Sequence, residues 1–198
     1  MLATSDTTSL AAARAVLLNG GVLVFPTETV YGMGVLFGDA RAEEKLRRLK
    51  GRDAAKPFQV LVPDAAAAEK AAVLTPAARR VLAKFWPGAL TAVLPARANP
   101  AMTIGLRAPD HPWLQALLRT LPAGITATSA NLAGEPPART AAEAEAAVGG
   151  LVELVLDGGP SALGRASTVA GLVNDELKIF REGAVTETML RETLADRP

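Results

Sequence analysis

The sequence predicts an α/β (α+β) fold, a twisted sheet of mixed parallel and antiparallel strands with flanking helices. Short apolar runs alternate with segments of helical pattern along the chain, which is typical of layered α/β proteins. The alternation is not a strict strand–helix–strand repeat, so part of the sheet should be antiparallel. The chain has 198 residues and is 49% hydrophobic, which is enough to bury a core. No shift in composition marks a boundary, and we expect a single domain over residues 1–198.

Seven segments are predicted to be helical from their caps, stops or alanine content. An Asn-Gly-Gly run at 19–21 ends the first helix, and Asp39 caps the second. Thr75 is followed by proline at the first helical position, and Thr140 opens a capping box with Glu143. Alanine clusters favour helix because alanine has the highest helix propensity. The predicted helices are 10–18, 40–49, 65–68, 76–85, 113–119, a segment over 141–147 and a terminal segment opened by Thr186.

Eight short apolar or alternating runs are predicted to be strands. The run Val-Leu-Val-Phe at 22–25 is continuous, as in a strand buried on both faces. The last two runs are expected to form a hairpin around Asn174 and Asp175. The predicted strands are 22–25, 58–62, 90–94, 103–107, 124–128, 151–156, 167–172 and 177–180.

Composition excludes several kinds of site. The chain has no Cys and one His, which rules out disulfides, thiolate metal sites, a Cys nucleophile and a multi-His zinc site. The first residues contain no basic segment, and no apolar run reaches the roughly 18–20 residues that span a bilayer. We therefore expect a soluble, cytoplasmic protein with no membrane partner.

A net charge of +1 conceals an uneven distribution. Residues 1–140 carry 16 Lys and Arg against 10 Asp and Glu, whereas residues 141–198 carry 5 against 10. The densest basic run is 41–56, with seven basic and three acidic residues. Two interpretations fit Lys50, Arg52 and Lys56 in this run. They either balance the negative end of the preceding helix or bind an anionic ligand.

Residues 25–34, Phe-Pro-Thr-Glu-Thr-Val-Tyr-Gly-Met-Gly, follow a buried strand. Strand ends are where open α/β sheets bind ligands, but a turn whose Thr residues cap a helix fits equally well. Arg107 ends a later strand and again suits an anion. His111, between Asp110 and Pro112, is better explained as a turn residue than as a general base, and no G-x-S-x-G supports a hydrolase.

Three later segments place hydroxyl, amide and basic side chains beside strands. Ser129 and Asn131 end one strand, Ser167 and Thr168 begin another, and Arg181 ends the last. Each segment also fits an ordinary turn or a surface charge, and none is a Walker A loop. Together they put cations and hydroxyls at strand ends with hardly any acid nearby beyond Glu28, which suits a nucleoside triphosphate. Because no acid cluster could build a metal site, Mg²⁺ should arrive on the phosphates of ATP.

In their order and spacing these segments resemble the YrdC-like family, the TsaC-type threonylcarbamoyl-AMP synthases. The resemblance covers nearly the whole chain, from about residue 10 to residue 183, and matches the single-domain form. Four short motifs carry it: Pro-Thr-Glu-Thr-Val-Tyr-Gly at 26–32, Lys-x-Arg at 50–52, Ser-Ala-Asn at 129–131 and Ser-Thr-Val at 167–169. The chain departs from the family at Asp53, where the family often has Pro, and at Lys56, where it commonly has Asn or His. It also departs after Ser-Thr-Val, where Ala170 and Gly171 stand in place of the usual Val and Asp. The role of Lys56 therefore stays open.

The resemblance implies a YrdC-like fold around a large concave cavity. It also implies that L-threonine, bicarbonate or CO2 and ATP give threonylcarbamoyl-AMP and pyrophosphate, which is a nucleotidyl transfer. Separate tRNA threonylcarbamoyl-transferase proteins would then modify adenosine 37 of tRNA. Mg²⁺ is expected only with ATP, and no residue is expected to ligate a metal.

Site residues follow from the matched motifs. Lys50 and Arg52 are expected to be catalytic and to face the ATP phosphates. The expected threonine-binding residues are Thr27, Arg107 for the carboxylate, and Ser167. The other expected ATP-binding residues are Thr103, Ser129, Asn131 and Arg181.

Two alternative functions fit part of this pattern. A basic concave surface could instead hold double-stranded RNA as a binding module, with strongly salt-dependent affinity. A carbamoyl-adenylate domain of hydrogenase-maturation proteins is the second alternative, but those domains lie in long chains with Cys clusters.

Overall fold

A computed structural model describes residues 1–51, 57–173 and 176–195. These residues form a ten-stranded sheet, seven α-helices and a short 3₁₀-helix at Gly149–Leu151. The strands are β1 Leu2–Ala3, β2 Leu23–Phe25, β3 Gly32–Leu36, β4 Gln59–Leu61, β5 Leu90–Pro95, β6 Thr103–Arg107, β7 Ile125–Ser129, β8 Leu154–Asp157, β9 Thr168–Val173 and β10 Glu176–Arg181. The helices are α1 Ser9–Leu18, α2 Ala40–Leu49, α3 Ala65–Ala71, α4 Pro76–Phe85, α5 Pro112–Thr120, α6 Ala141–Val148 and α7 Glu187–Ala195.

The sheet is mixed, with the strand order β1-β8-β2-β3-β7-β4-β6-β5-β9-β10. Four neighbouring pairs are parallel, namely β1–β8, β8–β2, β4–β6 and β5–β9. The other five pairs are antiparallel. This arrangement confirms the predicted mixed sheet.

Helices cover the sheet in three apolar clusters. Helices α2 and α6 pack on one face of β2 and β3, and α1 and α5 pack on the opposite face of β2. Strand β2 therefore sends Val24 to one cluster and Leu23 and Phe25 to the other, as its continuous apolar sequence predicts. Helices α3, α4 and α7 cover one face of β4, β5, β6 and β9.

Alternation along the strands of this last group makes the other face polar and concave. In β5, Leu90, Ala92 and Leu94 enter the core, whereas Thr91 and Val93 line a cavity. In β6, Leu106 enters the core, whereas Thr103, Gly105 and Arg107 line the same cavity. Because strand side chains alternate between faces, one short run supplies both a core and a binding surface.

All seven predicted helices and all eight predicted strands are present. Helices α2 and α4 and strand β6 have the predicted ends, and the ends of the others shift by up to three residues. Strand β8 begins at Leu154 instead of 151, because Leu151 ends the 3₁₀-helix and residues 152 and 153 separate that helix from the strand. The hairpin of β9 and β10 is also confirmed, although its predicted tip at 174–175 lies outside the described residues. Within the described ranges, no helix is long and apolar enough to cross a bilayer.

Strand β3 is absent from the prediction because two glycines interrupt its apolar pattern. Both glycines are required by close packing rather than by a turn. A Cβ on Gly32 would lie 2.6 Å from the Phe25 ring, and one on Gly34 would lie 2.6 Å from the Thr126 carbonyl oxygen. The interpretation that the Thr residues of 25–34 cap a helix is therefore wrong, since the turn leads into a strand.

Candidate active site

The polar cavity has a volume of about 530 Å³, within the usual range for small-molecule sites. Its floor comes from β4, β5, β6 and β9, and its walls come from the ends of α2, β7 and β10. Among the described lining residues, Glu135 is the only acid. Seven of the nine predicted site residues line this cavity: Lys50, Thr103, Arg107, Ser129, Asn131, Ser167 and Arg181.

Lys50 joins α2 to the segment after β7. It is the C-terminal cap of α2 and is almost fully buried. Its Nζ donates to the Ser129 carbonyl oxygen at 3.0 Å and to Asn131 at two oxygens, the carbonyl at 2.7 Å and Oδ1 at 2.5 Å. The Ser129 Oγ lies 3.4 Å away. These acceptors fix a positive charge in the cavity wall and bring together two motifs that are about 80 residues apart.

The segment from 129 to 135 is a tight loop built around Asn131. The Asn131 Nδ2 donates to the carbonyl oxygens of Leu132 at 3.0 Å and Glu135 at 2.6 Å. Gly134 has a φ of +86°, a conformation that other residues rarely adopt. Asn131 therefore holds the loop with its amide nitrogen and Lys50 with its oxygens.

Arg107 is buried, with 3% of its side chain exposed, and two partners hold it. Its Nε donates to the Gly88 carbonyl oxygen at 3.1 Å, and its Nη2 donates to Glu28 Oε1 at 2.7 Å. Its Nη1 donates to none of the residues that the structure describes. The guanidinium thus has one side fixed by the protein and another side available to a ligand in the cavity.

A row of hydrogen bonds crosses the cavity floor. Thr91 Oγ1 donates to Gln59 Oε1 at 2.7 Å and lies 2.9 Å from Ser167 Oγ. Since the single Thr91 hydroxyl proton goes to Gln59, Ser167 is the donor in the second bond. Arg181 donates to the Ser167 carbonyl oxygen from Nε at 3.1 Å and from Nη2 at 2.9 Å. This row orients the Ser167 hydroxyl and the Arg181 guanidinium together.

Two predicted site residues are not among the lining residues. Arg52 lies outside the described residues, as do Asp53 and Lys56. Thr27 is buried behind the wall, where its Oγ1 donates to the Val30 carbonyl oxygen at 2.6 Å and accepts from the Thr29 and Val30 amides. It closes the turn between β2 and β3. Thr27 therefore affects the cavity indirectly, by fixing the conformation of that turn.

Several polar residues that line the cavity are not among the predicted site residues. Thr29, in the same turn as Thr27, lines the cavity, and Gln59 and Thr91 belong to its floor. The sequence pattern does predict that Thr91 faces away from the core, because a polar residue at an alternate position of an apolar strand usually faces a polar surface. Tyr31 is a support rather than a ligand group. Its buried hydroxyl donates to the Gly159 carbonyl oxygen at 2.7 Å, and burial raises its pKa.

His111 is placed as a structural residue, at the N-terminal cap of α5. It does not line the cavity, and its buried Nδ1 has no hydrogen-bond partner within the described part of the chain. Burial lowers its pKa, and this outweighs the attraction of Glu28 and Asp110 for the charged form. Its position at the start of α5, away from the cavity, supports the turn interpretation.

Two further observations bear on what the site can hold. The described residues contain no group of three or more His, Asp or Glu side chains placed to bind a metal ion. A larger cavity of about 860 Å³ lies against α3, but its lining is mainly alanine and other apolar side chains and includes none of the predicted site residues. The predicted site residues that line a cavity all line the smaller one.

Comparison with known proteins gives one consistent picture. The family model for Sua5, YciO and YrdC, described as telomere recombination, matches residues 15–183. A threonylcarbamoyl-AMP synthase of Bacillus subtilis is 35% identical over 98% of this chain and 58% of its own length. One of Chromohalobacter salexigens is 37% identical over 84% of this chain and 94% of its own length.

A solved structure extends the comparison to three dimensions. The P. abyssi Sua5 structure complexed with L-threonine superposes with a TM-score of 0.87 at 30% identity, over 94% of this chain and 57% of that chain. The present chain thus spans little more than half of the length of the Bacillus and P. abyssi relatives.

The buried state of His111 makes the stability depend on pH. The folded-state pKa is lowered, whereas the unfolded-state pKa is about 6.5. The unfolded chain therefore takes up the proton first, and the His111 contribution is complete above about pH 6.5 and lost as the pH falls below it. We expect the free energy of unfolding to fall more between pH 7.5 and pH 5 in the wild type than in His111→Gln. Urea unfolding at both pH values measures this, and equal losses would contradict it.

Proposed function

The chain belongs to the Sua5/YciO/YrdC family, and from that premise we propose that it is an L-threonylcarbamoyladenylate synthase, an enzyme of the nucleotidyltransferase class. It condenses L-threonine, bicarbonate or CO2 and ATP into threonylcarbamoyl-AMP and pyrophosphate. The observation that carries this proposal is a cavity in which Lys50, Arg107 and Arg181 come from three separate elements, with hydroxyl groups among the other lining residues. The names of the relatives and the threonine complex of the P. abyssi protein support the same activity.

The main obstacle to this reaction is electrostatic, because all three partners are anionic. Threonine brings a carboxylate, carbon dioxide enters as bicarbonate or becomes a carbamate, and ATP brings its phosphates with Mg²⁺. Fixed cations offset the repulsion and need no reorganisation during the reaction. A cavity that holds three such groups in defined positions also makes the encounter effectively unimolecular.

The bond changes require no protein nucleophile. The threonine amine attacks CO2 and forms an N–C bond, and its proton leaves to solvent. A carbamate oxygen then attacks the ATP α-phosphorus, and the bond to pyrophosphate breaks. We assign the threonine carboxylate to Arg107, supported by its open Nη1. We assign the phosphates to Lys50, Arg52 and Arg181, with Ser129, Asn131 and Thr103 beside the nucleotide.

The product determines the partners that we propose. A mixed carbamic–phosphoric anhydride hydrolyses readily, so an acceptor must take it promptly. We propose that tRNA threonylcarbamoyl-transferase proteins are those acceptors, that position 37 of tRNA is the final target, and that the protein acts in the cytoplasm. We propose that Ser167 contacts threonine, and that Thr27 acts indirectly by closing the turn that presents Thr29 to the cavity.

One experiment separates this function from its two alternatives. The protein is incubated with MgATP and bicarbonate, with and without L-threonine, and the adenylate is measured. Threonine-dependent product supports the synthase. Product that requires carbamoyl phosphate in place of threonine and bicarbonate supports the hydrogenase-maturation type of domain. Absence of product together with RNA affinity that falls steeply with salt supports an RNA-binding module.

Lys50→Ala and Arg52→Ala are each expected to lower threonine-dependent pyrophosphate release at least about tenfold, or roughly 1.4 kcal/mol of transition-state stabilisation. The reason is the loss of positive charge beside the phosphates. Arg48→Ala is the matched control, since Arg48 lies on the exposed surface of α2, where it pairs with Glu44. A turnover like that of the wild type in either site variant would contradict the assignment.

Arg107→Ala is expected to raise the threonine requirement more than the ATP requirement, because it removes the proposed carboxylate partner. Arg107→Lys should recover little, since an ammonium cannot reproduce the guanidinium fork. Steady-state kinetics with each substrate varied in turn measure both requirements, and Arg119→Ala on the surface of α5 is the control. Equal increases for threonine and ATP would count against this role.

A further inference from the structure

Glu28 is a buried acid that contacts the site without lining it. Its carboxylate is 12% exposed and accepts from Arg107 Nη2 at 2.7 Å. Arg107 lines the cavity, whereas Glu28 lies behind it. A buried carboxylate and a buried guanidinium compensate each other's charge, so each depends on the other for its position.

The backbone holds Glu28 on both sides. The Glu28 carbonyl oxygen accepts from the Leu163 amide at 2.8 Å. The hydroxyl of the preceding residue, Thr27, closes the turn through the amides of Thr29 and Val30. Glu28 therefore presents its carboxylate from a segment with little freedom, as a group that orients another side chain must.

The direction of the Arg107 guanidinium follows from its two fixed partners. Gly88 takes Nε, and Glu28 takes Nη2. Two fixed hydrogen bonds define the plane of a guanidinium and leave its remaining edge in one orientation. Without Glu28 only the Gly88 bond remains, and rotation about the Cδ–Nε bond can carry the whole planar group out of this orientation.

We propose that Glu28 is a positioning residue that aims Arg107 at the carboxylate of the amino-acid substrate. This inference rests on the proposed function and adds a residue that acts through Arg107 rather than on the substrate. It accounts for a buried acid beside a cavity that otherwise gathers cations. It also gives the Pro-Thr-Glu-Thr turn two roles. Thr27 fixes the conformation of the turn, and Glu28 orients Arg107 from it.

The structure supplies a conservative variant. Glu28 Oε2 accepts no hydrogen bond from any residue in the described ranges. An amide NH2 group at that position removes no existing bond, and the amide oxygen can still accept from Arg107. Glu28→Gln thus keeps the hydrogen bond and loses the charge, whereas Glu28→Ala loses both.

The test is a double-mutant cycle on L-threonine binding, measured by calorimetry on the full chain. Glu28→Ala is expected to weaken threonine binding at least tenfold and MgATP binding less than threefold, with Glu28→Gln between Glu28→Ala and the wild type. In the Arg107→Ala background, Glu28→Ala should change threonine binding less than twofold, because the group it positions is gone. Arg119→Ala, which lies outside the pair, should leave the effect of Glu28→Ala unchanged.

Several outcomes would overturn the inference. Unchanged threonine binding in Glu28→Ala would show that Arg107 needs no support. Equal weakening with and without Arg107 would show that Glu28 acts on threonine directly. If Glu28→Ala does not fold, Glu28→Gln is used, with at least a threefold loss expected only when Arg107 is present. The proposed function is judged separately, by threonine-dependent pyrophosphate release in the wild type.

Discussion

The fixation of cationic side chains by protein oxygens is the interaction on which this site depends. Lys50 donates to the oxygens of Ser129 and Asn131, and Arg181 donates to the Ser167 carbonyl. Arg107 is held by Gly88 and Glu28. The bonds of Lys50 and Arg107 satisfy charged donors that would otherwise be costly to bury. Each also connects elements that are distant in sequence, so the bonds that make the charges tolerable also fix the geometry of the cavity.

The sheet makes this arrangement possible through its period of two. Strands β4, β5, β6 and β9 use one set of side chains to hold α3, α4 and α7, and the alternate set to form the cavity floor. A strand such as β6 therefore cannot shift its register by one residue without placing Arg107 in the apolar core and Leu106 in the cavity. Core packing and site geometry are thus enforced by the same register, and the stability of the core protects the position of the charge.

Features of the fold and the site that depend on local sequence patterns agree with the prediction. Caps such as Asp39 and Thr140 bond to the first amides of their helices as predicted, and strand ends carry Arg107 and Ser129 into the cavity. Features that depend on a contact with a residue distant in the chain are not predicted by the sequence. Gly34 is required by the Thr126 carbonyl oxygen across the sheet, and no local rule contains that contact. Thr27 was expected to face the substrate, yet its hydroxyl is used by its own turn, a choice that sequence spacing does not reveal.

The net charge of +1 takes on a different meaning once the cavity is described. A surface that binds long RNA needs many separate phosphate contacts and a broad positive field. Here several of the cations of the basic N-terminal part are paired with acids outside the cavity, as in Lys45–Glu153, Arg79–Glu69 and Arg48–Glu44. Lys50, Arg107 and Arg181 line one concave surface, which concentrates their positive field on a small anion. A net charge near zero for the whole chain is therefore compatible with a positively charged cavity. Together these two features favour a compact polyanion such as ATP over an extended one.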